Sequence, residues 1–361
     1  MPALIQSPAE SLMSRLALLL ATMVVLFSGA AHAQQPPDAY YGLQWNLQRI
    51  GVERAWDHAT GEGAVIAVVD SGIDLTHPEL EAKTVFTGDA DFIDDRPPCQ
   101  SSEDDGCDPD GPQDEFGHGT HVAGIAAATT GNLEGIAGVA RAASVLPVRV
   151  LDAQGNGTTT QIAAGVRFAA DQGAEVINLS LAYDSIEGLV GELDPLYSAI
   201  DDAWESGAVI VASAGNDSFP LCAEPAAHPR VVCVGAIDRS DLRSFYSNSD
   251  ATMTAPFVVA PGGNGLSDAG ICSGDILSTY LLDLEPFCGP EMGYEAVGGT
   301  SQAAPHVAGV AAMLAELGLA NDAIVECLVT TAEDLGAVGR DPVYGFGLVD
   351  AARAVTECPS G

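Results

Sequence analysis

Along the chain, short apolar runs stop abruptly in polar or glycine-rich turns. "AVIAVVD" runs into "SGID", "AEVINLSL" into "AYDS", "GAVIVASAG" into "ND" and "RVVCVGA" into "IDRS". Between them lie helix-like stretches. Residues 158–172 end at Gly173, and 194–206 open with Asp-Pro and end at Gly207, the proline-first, glycine-last order of a helix. Buried strands alternating with helices predict an α/β fold of three layers, a mainly parallel central sheet with helices on both faces. Sites in such sheets form at the carboxyl ends of the strands, which is where the polar turns fall.

One apolar run is of another kind. Arg15 is followed by "LALLLATMVVLF" and then "AHA" at 31–33, the charged, apolar, small-residue order of a secretory signal. The run is about half of the roughly 20 residues that a membrane span needs. Export with cleavage near Ala33 is therefore expected, to the medium or the periplasm and without a stable membrane anchor. Residues 34–43 form a short extension, and 44–361 form one domain undivided by repeats or linkers.

Charge narrows the possible partners. The chain of 361 residues carries 50 acidic against 13 basic side chains, a formal charge of −37, and Lys83 is its only lysine. Such a surface repels nucleic acid and anionic membranes. Two readings of the acidity stay open: a generally solubilising surface, or adaptation to salty surroundings that screen its self-repulsion. Eight cysteines, Cys99, Cys107, Cys222, Cys233, Cys272, Cys288, Cys327 and Cys358, form no CxxC pair. An even number in an exported chain favours disulfides over metal or redox chemistry. The short Pro- and Gly-rich segments between most of them favour pairing of sequential neighbours.

Two helix candidates begin at chemistry. "HGTHVAGIAAA" starts at His118, and "SQAAPHVAGVAAMLAEL" starts at Ser301, with Pro305 placed in its first turn. Glycines at 298 and 299 let the backbone approach closely, and a helix start turns amide N–H groups and a positive dipole toward a developing anion. A serine hydroxyl needs a base to become a nucleophile. His118, kept neutral by its own helix dipole, suits that task, and Asp70 at the end of "AVIAVVD" can fix its tautomer.

The blocks "VVDSGID", "GHGTHVAG" and "GGTSQAAPHVAG" resemble the three signature blocks of the subtilisin-like serine proteases, the subtilases of peptidase family S8. The likeness runs from "QWNLQRIGVERAW" at 44–56 to "YGFGLVDAARAV" at 344–355. It implies a subtilisin-like fold and a monomeric, secreted serine endopeptidase that acts on polypeptides without a catalytic cofactor. Carried over by position, Asp70 orients the base, His118 is general base and then acid, and Ser301 attacks the peptide carbonyl. "ASAGN" resembles the oxyanion segment, so Asn216 and the Ser301 amide would hold the oxyanion of the acyl-transfer intermediate. "NLSLAY", with Ser180, Leu181 and Ala182, resembles the edge that pairs with substrate. Ser213, Ala214 and Gly215 resemble the facing wall. Relatives carry Ser-Leu-Gly-Gly where this chain has Ser180, Leu181, Ala182 and Tyr183, which narrows the cleft. Ala223 and Glu224 fall near the expected pocket floor; Glu224 either faces solvent or favours a basic residue at the cleaved bond.

Calcium is the expected structural ion. The acid-rich segment from Asp89 to Glu115 contains "DPDGPQDE", where Asp108, Asp110 and Asp114 could gather a hard cation or form a solvated loop. The resemblance offers a second site: Glu79 stands where relatives often have a calcium-binding Asp, and Asn132 lies in a loop like the one that completes the site. Exported subtilases usually carry an inhibitory propeptide, whereas here only "QQPPDA" separates Ala33 from "YYGLQWNL", so no autocatalytic removal of a prodomain is expected. Two other readings compete. The H-x-x-H spacing of His118 and His121 could belong to a zinc hydrolase, which lacks an evident third ligand. A catalytically silent binding protein on the same fold is the other.

Overall fold

The computed structural model describes residues 36–85, 90–93, 111–183, 194–265, 272 and 274–358. The signal segment 1–33, Cys99, Cys107, Asp108 and Asp110 lie outside the described residues.

The four apolar runs are strands, and two more join them in one sheet. β1 (Val65–Asp70), β2 (Ser144–Arg149), β3 (Val176–Leu179), β4 (Val209–Ser213), β5 (Val231–Ile237) and β6 (Phe257–Pro261) lie in the order β2-β1-β3-β4-β5-β6. Every neighbouring pair is parallel. Nearly every residue of these strands is buried, as expected where helices cover both faces. A separate antiparallel pair, β7 (Ile276–Thr279) and β8 (Tyr294–Val297), stands beside the sheet.

Two short helices, α1 (Trp45–Arg49) and α2 (Val52–Ala55), precede β1. The long helices are α3 (His118–Ala127), α4 (Thr159–Asp171), α5 (Asp194–Glu205) and α6 (Thr300–Glu316). α7 (Asn321–Thr330) and α8 (Ala351–Glu357) close the chain. Alternation along β1 assigns the faces. Val69 faces α4, where a methyl placed on Gly165 would lie 3.2 Å from it, while Asp70 turns to the opposite face and meets α3 at Gly119, also at 3.2 Å. α6 packs with α3, and α5 packs with α4.

α4 begins as its sequence predicts, with Thr158 and Gln161 forming a reciprocal capping box. α6 begins at Thr300, one residue before the expected Ser301, so Pro305 falls beyond the first turn. Lacking an N–H, Pro305 cannot bond the carbonyl four residues back, and that carbonyl is Ser301 O. The Ser180 hydroxyl takes the vacant role, donating to Ser301 O at 2.7 Å.

The extension before residue 44 docks onto the domain: Tyr40 N–H donates to Gly135 O, and the Asp38 carboxylate accepts from the Gly131 and Asn132 amides. Cys222–Cys233, Cys272–Cys288 and Cys327–Cys358 are disulfides between sequential neighbours.

Candidate active site

Asp70 ends β1 fully buried, and His118 is the first residue of α3. Gly117, at φ 93°, supplies the left-handed turn that starts the helix. His118 Nδ1–H donates to Asp70 Oδ1 at 2.7 Å, so the neutral ring carries its proton on Nδ1 and leaves Nε2 to accept one. Burial opposes a charge on His118, but the Asp70 carboxylate outweighs it and holds the imidazole pKa above its ordinary value.

Ser301 lies across the sheet ends on α6. Its Oγ donates to Ser180 O at 3.1 Å, and the Ser180 hydroxyl returns a bond to Ser301 O. Asn178 Nδ2 holds that hydroxyl from behind at 2.9 Å. The Ser301 backbone is thereby fixed to the cleft wall.

Asn216 follows β4. Its Oδ1 accepts from Thr300 N–H at 3.0 Å and Thr300 Oγ1 at 2.9 Å. A backbone N–H can only donate, so the atom facing Thr300 is the carbonyl oxygen and the amide Nδ2 is left free to donate. Thr300 Oγ1 also accepts from Gly215 N–H. Thr300, which the sequence motifs do not single out, therefore sets the direction of the Asn216 amide; its buried hydroxyl one residue before the serine was the available signal.

His118, Ser301, Asn216, Ser180, Leu181 and Ala182 line one cleft of about 430 Å³ with Ser213 and Gly215. Ala214 lies behind the wall, fully buried. Phe116, Leu151 and residues 155–157 complete the far side, a contribution that sequence reading missed. Phe116 adjoins His118 in sequence, and Gly155 is small because a methyl there would meet the Phe116 ring at 2.8 Å. The cleft also contains Tyr183 and Asp217. Glu224 does not face solvent freely: it is partly buried, and one carboxylate oxygen is wholly buried.

His121 is separated from this chemistry. It is buried, its Nε2 meets Glu295 O at 3.1 Å, and burial pushes its pKa down to about 3. Each histidine of the H-x-x-H pair thus has its own partner, and among the described residues no group of three His, Cys, Asp or Glu side chains could hold a metal ion.

The calcium candidates fare differently from one another. Asp114 is a helix anchor: its carboxylate accepts from Phe116 N–H, Gly117 N–H, Thr120 N–H and Thr120 Oγ1. Its oxygens are committed to the start of α3, which corrects its expected place in a cation loop. Glu79 and Asn132 do come together, Asn132 Nδ2 donating to Glu79 Oε2 at 3.2 Å. Asp38, from the N-terminal extension, joins them through the 131–132 amides. Burial pushes Glu79 up to about 7, with the nearby Asp38 charge adding to the shift, and burial also raises Asp38.

The family model for the subtilase family, Peptidase_S8, matches residues 61–347. The thermophilic serine proteinase of Bacillus sp. (strain AK1) is 40% identical over 326 residues, covering 90% of this chain and 70% of its own. Thermitase of Thermoactinomyces vulgaris is 39% identical over 321 residues, covering 89% of this chain and 99% of its own. Among solved structures, a protease from Pseudoalteromonas arctica superposes with a TM-score of 0.75 at 33% identity, covering 90% of this chain and 100% of that one.

Proposed function

Because this chain belongs to the subtilase family and is a serine endopeptidase, we propose that Asp70, His118 and Ser301 are its catalytic triad and that Asn216 completes its oxyanion hole. The observation that carries the reading is the 2.7 Å bond from His118 Nδ1 to buried Asp70, at a cleft that also holds Ser301 and Asn216. His118 Nε2 takes the Ser301 proton as Oγ attacks the peptide carbonyl carbon. Negative charge then grows on the carbonyl oxygen between the Ser301 N–H and Asn216 Nδ2. The imidazolium, stabilised by Asp70, returns the proton to the leaving amine, and water releases the acyl group by the same steps with water as nucleophile. No catalytic cofactor enters. A serine-reactive fluorophosphonate should label the purified protein and fail to label Ser301→Ala; an unlabelled parent would refute the reading.

Calcium fits the Asp38–Glu79 carboxylate pair, beside which Asn132 presents its amide N–H rather than its oxygen. The two buried carboxylates are hard oxygen donors, burial raises the pKa of both, and the Asp38 charge adds to the rise at Glu79, costs that a cation would relieve. A bound ion would supply charge neutralisation and tie the extension to the 131–135 loop. Glu79 is raised in the fold, so without metal its contribution to stability falls as pH rises from its ordinary value, 4.5, to about 7. Added calcium should therefore raise the melting temperature more at pH 8 than at pH 4, and an equal shift at both would exclude these carboxylates as the site.

The same reading includes export after cleavage near Ala33 and a monomer. No helix among the described residues is long and apolar enough to cross a membrane. N-terminal sequencing of the secreted protein should begin at Gln34; a start near residue 100 would contradict it.

A further inference from the structure

We propose that Asp152 is a positioning residue that holds the far edge of the cleft, residues 155–157, in the shape that receives a peptide, an inference that rests on the protease reading above. The edge lies between β2 and α4, and Leu151 and residues 155–157 line the cleft. Asp152 is not on that lining, so it acts through its neighbours.

The edge has little else to hold it. Gly155 stands at φ 77°, in the left-handed region that glycine adopts without strain, and glycine has the most backbone freedom to lose when a segment is ordered. Gly157 is also confined to glycine, since a methyl there would lie 2.3 Å from Val150 O. Neither residue has a side chain with which to anchor itself. Gln154 and Asn156 are exposed, and the Phe116 ring against Gly155 is an apolar contact without direction.

Every hydrogen bond that residues 153–157 make among the described residues ends on Asp152. Its Oδ1 accepts from Gln154 N–H at 2.9 Å and from Asn156 N–H at 2.8 Å, with Asn156 Nδ2 further off at 3.4 Å. Its carbonyl oxygen accepts from Gly155 N–H, and its own N–H donates to Asn156 O, both at 2.8 Å. Aspartate suits the position because its short side chain brings an oxygen to the amide two residues on; the same oxygen then takes the amide of Asn156 and closes the loop. Those two amides, and after them the Arg149 charge, hold the Asp152 carboxyl below its ordinary range, so it is ionised wherever His118 is neutral. Without this oxygen the Gln154 and Asn156 amides turn to solvent, and the ordering of the edge must be supplied when substrate binds.

The test compares Asp152→Ala, Asp152→Glu and Asp152→Asn on a small activated ester, p-nitrophenyl acetate, and on peptides lengthened residue by residue on both sides of the cleaved bond. Rates are normalised to active sites titrated with fluorophosphonate. In Asp152→Ala the ratio of kcat/KM for the longest peptide to that for the ester should fall about tenfold, the scale of one hydrogen bond to a charged group. The fall should lie in KM rather than kcat and shrink as the peptide is shortened. Asp152→Glu keeps the charge but moves the oxygen by one methylene, and should lose as much; Asp152→Asn keeps an oxygen in place without the charge, and should retain most of the parental ratio. The opposite order, with Asp152→Glu near the parent and Asp152→Asn impaired, would make charge the cause and overturns the proposal, even if Asp152→Ala fails to fold. Equal losses on ester and peptides of every length, or an unchanged ratio in Asp152→Glu, overturn it too. Absence of fluorophosphonate labelling of the parent would instead defeat the underlying protease reading.

Discussion

The starts of α3 and α6 are built from similar sequence and are satisfied in opposite ways. Each is preceded by glycine, and each carries one of the proposed triad residues within its first two positions. At α3 a buried carboxylate fills the helix start, where Asp114 accepts from three amides and the Thr120 hydroxyl. At α6 a neutral amide does the anchoring: among the described residues, Asn216 Oδ1 accepts from Thr300 alone. In the proposed mechanism the Ser301 amide and Asn216 Nδ2 then serve an anion that exists only during reaction. The difference teaches how one structural device, the positive end of a helix, can hold a base in place or wait for a charge to form.

Damage at α6 should therefore appear in turnover and damage at α3's anchor in stability. The largest effect lies with the residue that unites them. Asp70→Asn should lower kcat by roughly 10⁴-fold, because Nδ1 loses the acceptor that fixes the tautomer. The pH profile should move with it. His118 must be neutral to take a proton, and Asp70 raises its pKa, so parental activity rises with pH through that raised value and levels off above it. In Asp70→Asn the acid limb should shift to lower pH, and an unmoved limb would assign it to another group.

Asn216→Ala should cost about 10²–10³-fold in kcat with little change in KM or melting temperature. A change mainly in KM would make Asn216 a ground-state contact. Asp114→Ala should give the reverse pattern, losing roughly 2–4 kcal/mol of stability because several buried donors become unpaired, as read from the denaturant midpoint. Should Asp114→Ala keep its stability yet lose turnover, the comparison of the two helix starts fails. The smallest effect is expected for Thr300→Val, which keeps the amide bond to Asn216 and removes the hydroxyl bond. A loss of about tenfold or less in kcat should follow, and it should nearly vanish in an Asn216→Ala background, since Thr300 acts through that side chain.

Much of this was legible from sequence because it depends on short-range pattern. Runs such as "AVIAVVD" could be assigned as buried strands without knowing their neighbours, and the capping box at Thr158 was written in four consecutive residues. The polar blocks around Asp70, His118 and Ser301 named the candidates. What escaped were relations between distant segments. Asp114 in an acid-rich stretch reads as a cation ligand until Gly117 and Thr120 turn their donors toward it. Asp38 belongs to the short extension before residue 44, and its meeting with Glu79 and Asn132 depends on three separated segments. Pro305 looked harmless in a first turn; its real cost is a freed carbonyl, which Ser180 satisfies from 121 residues away.

The sequence by itself determined the alternation of strand and helix, the acidic surface, and the side-chain types available for nucleophile, base and orienting acid, since each follows from local periodicity or composition. Only the tertiary structure decided which amide atom of Asn216 faces the cleft and which carboxylates are committed to helix anchoring. It alone placed Tyr183 opposite Glu224. Those outcomes depend on hydrogen-bond direction and burial between segments far apart in the chain, and neither quantity exists until the sheet brings the strand ends together.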